Sequence, residues 1–122
     1  MAIQKILIVD DSPTERYYLA DILVRNGYTV TTADNGEEAL AKIRADRPQL
    51  ILMDVVMPGS NGFQFTRAIS KDPELADIPV IICSSKNQET DRIWGMRQGA
   101  KDYFVKPVDP AALLARINSL AA

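Results

Sequence analysis

The stretch Ile6–Pro13, ILIVDDSP, joins four consecutive apolar residues to two adjacent carboxylates and a Ser-Pro pair. A run that is apolar at every position, rather than at alternate positions, predicts a strand buried on both faces of a sheet. Ser12 followed by Pro13 is typical of a helix start, because serine caps the first turn and proline needs no hydrogen-bond partner there. The stretch therefore predicts a buried strand that ends in Asp10 and Asp11 and leads directly into a helix.

The same alternation of a short apolar run with a helix-period segment continues along the chain. The further runs are TVTTA, LILM, VIIC and YFV, and the more polar TVTTA is expected at an edge of the sheet. Helices between buried strands make the sheet parallel, with right-handed crossovers. The pattern predicts an α/β fold of five β/α units, in which a flavodoxin-like, doubly wound parallel sheet has the order 2-1-3-4-5 and helices on both faces.

Helix boundaries are also marked in the sequence. The first helix is expected to have Ser12 as its N-cap and to end at Gly27. The last helix repeats the opening of a capping residue and a proline with Asp109 and Pro110. The apolar residues of the first helix recur at helical spacing: Tyr18, Leu19, Ile22 and Leu23.

Composition excludes several classes of function. The chain has 14 Lys and Arg against 16 Asp and Glu, a net charge of −2, which gives no basic surface for nucleic acid or for a membrane. Histidine is absent, so His-dependent triads, His metal sites and a phosphohistidine carrier are excluded within this chain. The single cysteine, Cys83, lies in an apolar run and is expected to be a buried thiol in a reducing compartment.

Length and targeting signals bear on organisation and location. The 122 residues fit one domain, expected over residues 1–122. The N-terminus lacks a cationic region leading into an apolar signal segment, and no apolar run approaches the roughly 18 residues of a membrane span. We therefore expect a cytoplasmic protein that does not insert into a membrane.

Chemically active side chains follow four of the five predicted strands. Strand one ends in Asp10 and Asp11, strand three in Asp54, strand four in Ser84, and strand five in Lys106. Because ligands of doubly wound sheets bind beyond the carboxyl ends of the strands, these side chains are expected to share one rim. Crowded carboxylates repel one another unless a cation lies among them or a pKa rises. An all-oxygen cluster without His or Cys favours Mg²⁺ or Mn²⁺ over zinc.

Each of these residues also has an ordinary structural interpretation when it is taken alone. Asp10 and Asp11 could form a solvated strand end or a helix cap, and Asp54 could start the turn that follows it. Ser84 could cap a helix, and Lys106 could be a surface lysine with its apolar stem against the protein. The functional interpretation depends on their joint occurrence at the ends of four strands.

Four motifs occur in a characteristic order and spacing: VDDS, LMDVVMPGSNG, PVIICSS and GAKDYFVKPV. In these residues the chain resembles the receiver domain of two-component response regulators, the family of the bacterial chemotaxis receivers, over essentially its whole length. Within that family, SPTE, RQGAKDYFVKPVD and the isolated receiver without an output domain look similar to small regulators of type IV pilus twitching motility.

The resemblance implies a role for each residue of the rim. Asp54 would be the phosphoacceptor, whose carboxylate attacks the phosphorus of a phosphohistidine on a partner kinase. Asp11 and Asp54 would bind Mg²⁺ directly, joined by the main-chain carbonyl of Val56. Asp10 would act mainly through water on the metal. Lys106 would pair with Asp54 and then hold the phosphoryl group.

The resemblance also implies a switch. Ser84 would donate its hydroxyl to the phosphoryl group and pull the following loop inward. Tyr103 matches an aromatic position that rotates inward when that hydroxyl residue moves, although it could also be a half-buried strand aromatic with its hydroxyl in water. Pro107 follows Lys106 where the family usually has a cis bond, which would aim the lysine into the site. The output face would be helix four, strand five and helix five.

Two variable positions and the fourth helix complete the expectations. Val56 and Lys86 would flank the route of water to the phosphoryl group and so tune its lifetime. Trp94 is expected to be half-packed against a neighbouring helix, beside Ile93 and Met96, which are expected to face the core.

Other classes of function share parts of this pattern. A Mg²⁺-dependent phosphohydrolase also uses an aspartate nucleophile, but here Asp54 follows strand three and no cap domain is evident. A flavodoxin-like cofactor carrier needs a phosphate-binding loop after strand one, where DDSPTE would repel phosphate. We expect a signalling receiver, not an enzyme, that promotes only its own phosphorylation and dephosphorylation. A phosphate sink without a downstream partner is the further alternative.

Expected partners follow from the resemblance. They are a histidine kinase of the chemotaxis-kinase type and a downstream motility or motor protein that binds the output face. Nucleic acid is not expected as a partner, and the chain is expected to be a monomer or a weak dimer.

Overall fold

The computed structural model describes residues 2–57 and 60–121. Strands and helices alternate along the chain, and a small hairpin follows the third strand. The strands are β1 (Lys5–Val9), β2 (Thr29–Ala33), β3 (Leu50–Met53), β4 (Val56–Met57), β5 (Ser60–Asn61), β6 (Val80–Ser84) and β7 (Asp102–Val105). The helices are α1 (Pro13–Arg25), α2 (Gly36–Ala45), α3 (Gly62–Lys71), α4 (Glu89–Arg97) and α5 (Pro110–Ala121).

In this part of the chain, five strands form one parallel sheet in the order β2-β1-β3-β6-β7. Counted along the sheet alone, this is the predicted order 2-1-3-4-5, and the more polar β2 lies at an edge as expected. The central strands β1, β3 and β6 are buried on both faces except at Lys5. The antiparallel hairpin of β4 and β5 was not predicted.

The sheet divides the core into two apolar layers, because successive side chains of a strand point to opposite faces. On one face, Ile6 and Ile8 pack with residues of α1 and α5. On the other face, Leu7 and Val9 pack with residues of α2 and α3. Cys83 lies in the first layer as expected, and burial raises the pKa of its thiol to about 12. These two layers fix the strands, and therefore the positions of the groups at their carboxyl ends.

The ends of α1 and α5 lie where the sequence predicts them. The side-chain oxygen of Ser12 accepts a hydrogen bond from the N–H of Glu15 and caps α1. Gly27 follows α1 with a φ of +90°, a left-handed conformation that favours glycine. Pro110 is the first residue of α5. The first helix therefore starts two residues after the acidic pair and points its N-terminus toward it.

The orientation of α4 differs from the expectation. Ile93 and Met96 are 44% and 38% exposed, so the prediction that they face the core is wrong. Gly95 is buried instead, and a Cβ built on it would lie 3.1 Å from Cδ2 of the Tyr103 ring. Because Gly95 has no side chain, α4 packs close to the sheet at this residue. The adjacent Trp94 is 49% exposed.

Candidate functional site

Three carboxylates meet at the carboxyl ends of β1 and β3. Asp10 and Asp11 follow β1, Asp54 follows β3, and one oxygen from each lies within 4.8 Å of the other two. The two strands are hydrogen-bonded neighbours, and the N–H of Asp54 continues their ladder by donating to the carbonyl of Val9 at 2.9 Å. The structure thus brings together the three carboxylates that the sequence places at one rim.

Lys106 supplies positive charge to this cluster from the end of β7. Its Nζ lies 2.6 Å from Oδ2 of Asp10 and 3.5 Å from Oδ1 of Asp54. The sequence prediction pairs Lys106 with Asp54, but the shorter contact is with Asp10, whose nearly complete burial makes a compensating charge most necessary. Burial lowers the pKa of Lys106, yet the hydrogen bond and charge of Asp10 and the charge of Asp54 outweigh it, so the pKa is raised. Lys106 is therefore an ammonium at neutral pH.

The carboxyl group of Asp54 titrates closer to neutrality than an ordinary aspartate. Burial, followed by the charge of Asp10, raises its pKa from 3.8 to about 6, against the opposing effects of Lys106 and the N–H of Val55. At pH 7 Asp54 is mostly ionised, as a carboxylate nucleophile must be. Asp11 differs from its neighbours because it is exposed, whereas Asp10 and Asp54 are buried.

The start of α3 lies against Asp54 at a glycine, Gly62, that sequence analysis did not single out. Gly62 donates its N–H to the carbonyl of Val55 at 2.9 Å. A Cβ on Gly62 would overlap the carbonyl oxygen of Asp54, so no other residue fits there without moving the start of α3 away from Asp54. Asn61 then caps α3 by accepting a hydrogen bond from the N–H of Phe63. The NG pair in the sequence was the available signal, because such pairs mark turns.

A chain of hydrogen bonds ties the end of β6 to β7. The Oγ of the buried Ser84 accepts from the N–H of Lys86 at 3.1 Å. The hydroxyl of Tyr103 donates to the carbonyl of Lys86 at 2.8 Å. Tyr103 is only 4% exposed, so the alternative of a half-buried aromatic with its hydroxyl in water is wrong. Its side chain points inward and holds the loop after β6 through the main chain of Lys86.

The remaining predicted positions lie around this rim. The peptide bond between Lys106 and Pro107 is cis, as the resemblance implies. Val56 lies in β4, two residues beyond Asp54, with 60% of its surface exposed. The residue Lys86 is also exposed. Their effect on phosphoryl lifetime stays a prediction.

One polar contact behind the cluster was missed by sequence analysis. Arg16, the fourth residue of α1, donates from Nη1 to the carbonyl oxygen of Asp10 at 2.6 Å. The N–H of Ser12 donates to Oδ1 of the same aspartate at 2.9 Å. A contact between residues six positions apart across a strand-to-helix turn has no periodic signature, so nothing in the sequence pattern indicated it.

The family follows from the fold, the acidic cluster and a direct match. Residues 6–118 match the model of the response regulator receiver domain. The chain therefore belongs to the response regulator receiver domain family of two-component signalling proteins. Receiver domains interact with histidine kinases and downstream targets, and they generally bind Mg²⁺ through acidic residues.

Individual relatives place the chain among these regulators. It is 54% identical to Protein PilH of Pseudomonas aeruginosa over 118 residues, which cover 97% of this chain and 98% of PilH. The response regulator PleD of Caulobacter vibrioides is 40% identical over 95% of this chain, but the match spans only 26% of PleD. The structure of chemotaxis protein CheY4 of Vibrio cholerae is similar with a TM-score of 0.88 at 34% identity, covering 98% of this chain and 99% of that one.

Within residues 2–57 and 60–121, none of the helices combines the length and the apolar character required to cross a membrane.

Proposed function

We propose that this chain is a phosphoacceptor receiver that takes a phosphoryl group from a histidine kinase onto Asp54 and then changes its protein-contact surface. The observation that supports this most strongly is the group of carboxylates around Lys106 at the carboxyl edge of the sheet. Within it, Asp54 is mostly ionised at neutral pH and lies beside an ammonium. These are the properties required of a nucleophile that attacks a negatively charged phosphoryl group.

In the proposed reaction, a carboxylate oxygen of Asp54 attacks the phosphorus of a phosphohistidine. An O–P bond forms while the P–N bond breaks, and the electron pair of that bond leaves with the imidazole. The product is an acyl phosphate on Asp54. Lys106 stays protonated and hydrogen-bonds the phosphoryl oxygens, and Ser84 donates its hydroxyl to the same group.

The acidic cluster fits a hard divalent cation. Its three side chains offer only carboxylate oxygens, the donors that Mg²⁺ and Mn²⁺ prefer. Among the described residues, they also outnumber the ammonium that contacts them. Asp11 and Asp54 would hold the cation directly with the main-chain carbonyl of Val56, while Asp10 keeps its contact with Lys106. When bound, the cation would neutralise charge on the phosphoryl oxygens.

The proposed switch runs through the loop after β6. Phosphorylation adds negative charge and acceptor oxygens to Asp54, and these attract the hydroxyl of Ser84. Turning that hydroxyl toward the phosphoryl group removes the acceptor of the Lys86 N–H, and the Tyr103 hydroxyl is bonded to the carbonyl of Lys86. The loop, α4 and β7 then readjust together. The face of α4, β7 and α5, which includes the exposed Trp94, would contact a downstream motility or motor protein.

The pathway is proposed from the relatives. Similarity to PilH and CheY4 over almost the full length of both supports a role in pilus motility or chemotaxis-type signalling. The kinase would be of the chemotaxis-kinase type, residues 1–122 would act as one receiver domain in the cytoplasm, and the chain would be a monomer or a weak dimer.

Labelling with a small phosphodonor tests this function. Incubation with acetyl phosphate and Mg²⁺ should add one phosphoryl group to the wild type in intact-mass analysis, and EDTA should prevent it. Asp54→Asn should remain unlabelled, while Asp46→Asn, which changes an exposed aspartate outside the cluster, should label normally. Equal labelling of Asp54→Asn would contradict the assignment. Continuous turnover of a small phosphate ester would favour the phosphohydrolase alternative.

A further inference from the structure

Helix α1 places a positively charged side chain, that of Arg16, beside the end of β1 next to the acidic cluster. The half-buried Arg16 donates from Nη1 to the carbonyl oxygen of Asp10 at 2.6 Å. This carbonyl lies one residue beyond the last residue of β1, Val9, and Asp10 is only 2% exposed. A main-chain oxygen buried past the end of a strand requires a hydrogen-bond partner, and the guanidinium provides it.

The hydrogen bond from Arg16 orients a whole peptide unit and not only the carbonyl oxygen that accepts it. The carbonyl of Asp10 and the N–H of Asp11 belong to the same planar peptide unit, so a contact that orients the carbonyl also orients the start of Asp11. On its other side, Asp10 is held by its N–H, which donates to the carbonyl of Ala33 at 3.0 Å. Its carboxylate is held by the N–H of Ser12 and by Lys106. Asp11 is exposed, and its carboxylate lies in the cluster with those of Asp10 and Asp54.

We propose that Arg16 is a positioning residue for the cation site. It holds the peptide between Asp10 and Asp11 in the orientation that keeps the carboxylate of Asp11 close to those of Asp10 and Asp54. This inference rests on the proposed function, because it concerns the affinity of the same acidic cluster for Mg²⁺.

The charge of Arg16 has an effect of the opposite sign. A guanidinium near the cluster repels a cation, so its charge alone predicts that removing it strengthens Mg²⁺ binding. Its positioning role predicts that removing it weakens Mg²⁺ binding, because Asp11 then loses its fixed direction. The sign of the change in affinity therefore separates the two effects.

The test compares Arg16→Gln and Arg16→Lys with a matched control on the same helix. Arg25 has a side chain that is 77% exposed and pairs with Asp21 at 2.9 Å, so Arg25→Gln removes the same charge away from the cluster. Mg²⁺ affinity is measured by calorimetry on the full chain at constant ionic strength. We expect about tenfold weaker binding for Arg16→Gln, a smaller loss for Arg16→Lys, which keeps a donor, and no change for Arg25→Gln.

Two metal-free measurements accompany the titration. Urea unfolding in EDTA shows that each variant is folded under the titration conditions. The ¹H–¹⁵N amide signal of Asp11 in EDTA should shift in Arg16→Gln and remain in place in Arg25→Gln. If Arg16→Gln does not fold, Arg16→Lys alone decides, with weaker Mg²⁺ binding and a shifted Asp11 amide expected.

Two results would overturn the proposal in distinguishable ways. Mg²⁺ binding that is unchanged or tighter in the decisive Arg16 variant would reject the positioning role and leave the proposed function standing. A wild type that shows no saturable Mg²⁺ binding would reject the proposed function and the positioning role together.

Discussion

Charged residues are paired differently at the two ends of the parallel strands, which we call the amino edge and the carboxyl edge of the sheet. At the amino edge, Lys5 pairs with Asp46 at 2.7 Å, and Arg47 pairs with Asp77, so each of these four charges has one exposed partner. At the carboxyl edge, three carboxylates lie together, and two of them share Lys106. Exposed pairs contribute about 0–1 kcal/mol each, whereas crowded, buried carboxylates cost stability. The carboxyl edge therefore holds an arrangement that folding alone does not explain.

A surface cavity and the acidic cluster lie at opposite edges of the sheet. A shallow cavity of about 240 Å³ lies at the amino edge, lined by Arg47, Pro48, Gln49, Asp77 and Ile78. It lies away from the acidic cluster, and the charges in its lining are paired with each other. Ligands of doubly wound sheets bind beyond the carboxyl ends of the strands, so the charge pattern is the better guide to the proposed site.

The largest difference between the edges should appear on replacing glycines. At the carboxyl edge, Gly62→Ala should destabilise the protein by about 3 kcal/mol or more, because the new Cβ overlaps the carbonyl of Asp54. At the amino edge, Gly27 has a φ of +90° but open space around it, so Gly27→Ala should cost only about 1 kcal/mol. Urea unfolding measures both, and equal losses would show that the main chain around Gly62 adjusts freely.

A smaller effect of opposite sign is expected at Asp54 itself. In EDTA at pH 7, Asp54→Asn should raise the free energy of unfolding by about 1–3 kcal/mol, the upper value being the full pKa shift at about 1.4 kcal/mol per unit. The reason is that the ionised carboxylate is disfavoured by burial and by Asp10. At the amino edge, Asp46→Asn removes an exposed pair and should lower stability by less than about 1 kcal/mol.

The pH dependence of the free energy of unfolding tests whether ionisation of Asp54 causes the gain expected for Asp54→Asn. Folded Asp54 has a pKa of about 6 and the unfolded chain the ordinary 3.8, so the folded state binds the proton more tightly. The stability contributed by this proton is present below about pH 4 and is lost as the pH rises to about 6 and beyond. The advantage of Asp54→Asn should therefore shrink toward zero between pH 7 and pH 4. An advantage that is independent of pH would mean that ionisation of Asp54 is not its source.

Features of the carboxyl edge differ in how well the sequence predicts them. The strand order, the two apolar layers and the shared rim of Asp10, Asp11 and Asp54 were predictable, because all depend on periodicity and on residues adjacent to strand ends. The contacts of Arg16 and Gly62 were not, although the pair Asn61 and Gly62 marks a turn, because each contact is with a backbone atom brought near by folding. Both contacts are with the main chain of acidic residues: Arg16 donates to the carbonyl of Asp10, and Gly62 lies against the carbonyl of Asp54.

The sequence-based predictions failed for β4, β5 and α4 for a similar reason. Two-residue strands are too short to show the alternation of apolar and polar residues that predicts a strand, so periodicity did not indicate the hairpin. In α4, the closest approach to the sheet occurs at Gly95, which has no side chain to contribute to an apolar stripe. The apolar pattern therefore predicts that the neighbouring Ile93 and Met96 face the core, although they are exposed.

The smallest expected effect concerns the lifetime of the phosphoryl group. Val56→Asn combined with Lys86→Glu should accelerate dephosphorylation several-fold, because polar side chains beside the site can orient an attacking water. Lys71→Glu, which changes an exposed lysine of α3, is the charge-matched control. Loss of label is followed after removal of acetyl phosphate at constant Mg²⁺. A lifetime equal to or longer than that of the wild type would assign control of hydrolysis to the loop around Ser84.

The charge imbalance of the carboxyl edge is tested most directly by the stabilisation that Mg²⁺ confers. Urea unfolding with and without Mg²⁺ should show a gain of about 2.7 kcal/mol for the wild type at a hundredfold excess over its dissociation constant. Most of this gain should be lost in Asp11→Asn, less of it in Asp10→Asn, and none in Asp46→Asn at the amino edge. Equal stabilisation of wild type and Asp11→Asn, or no stabilisation of the wild type, would contradict the assignment of this edge as the cation and phosphoryl site.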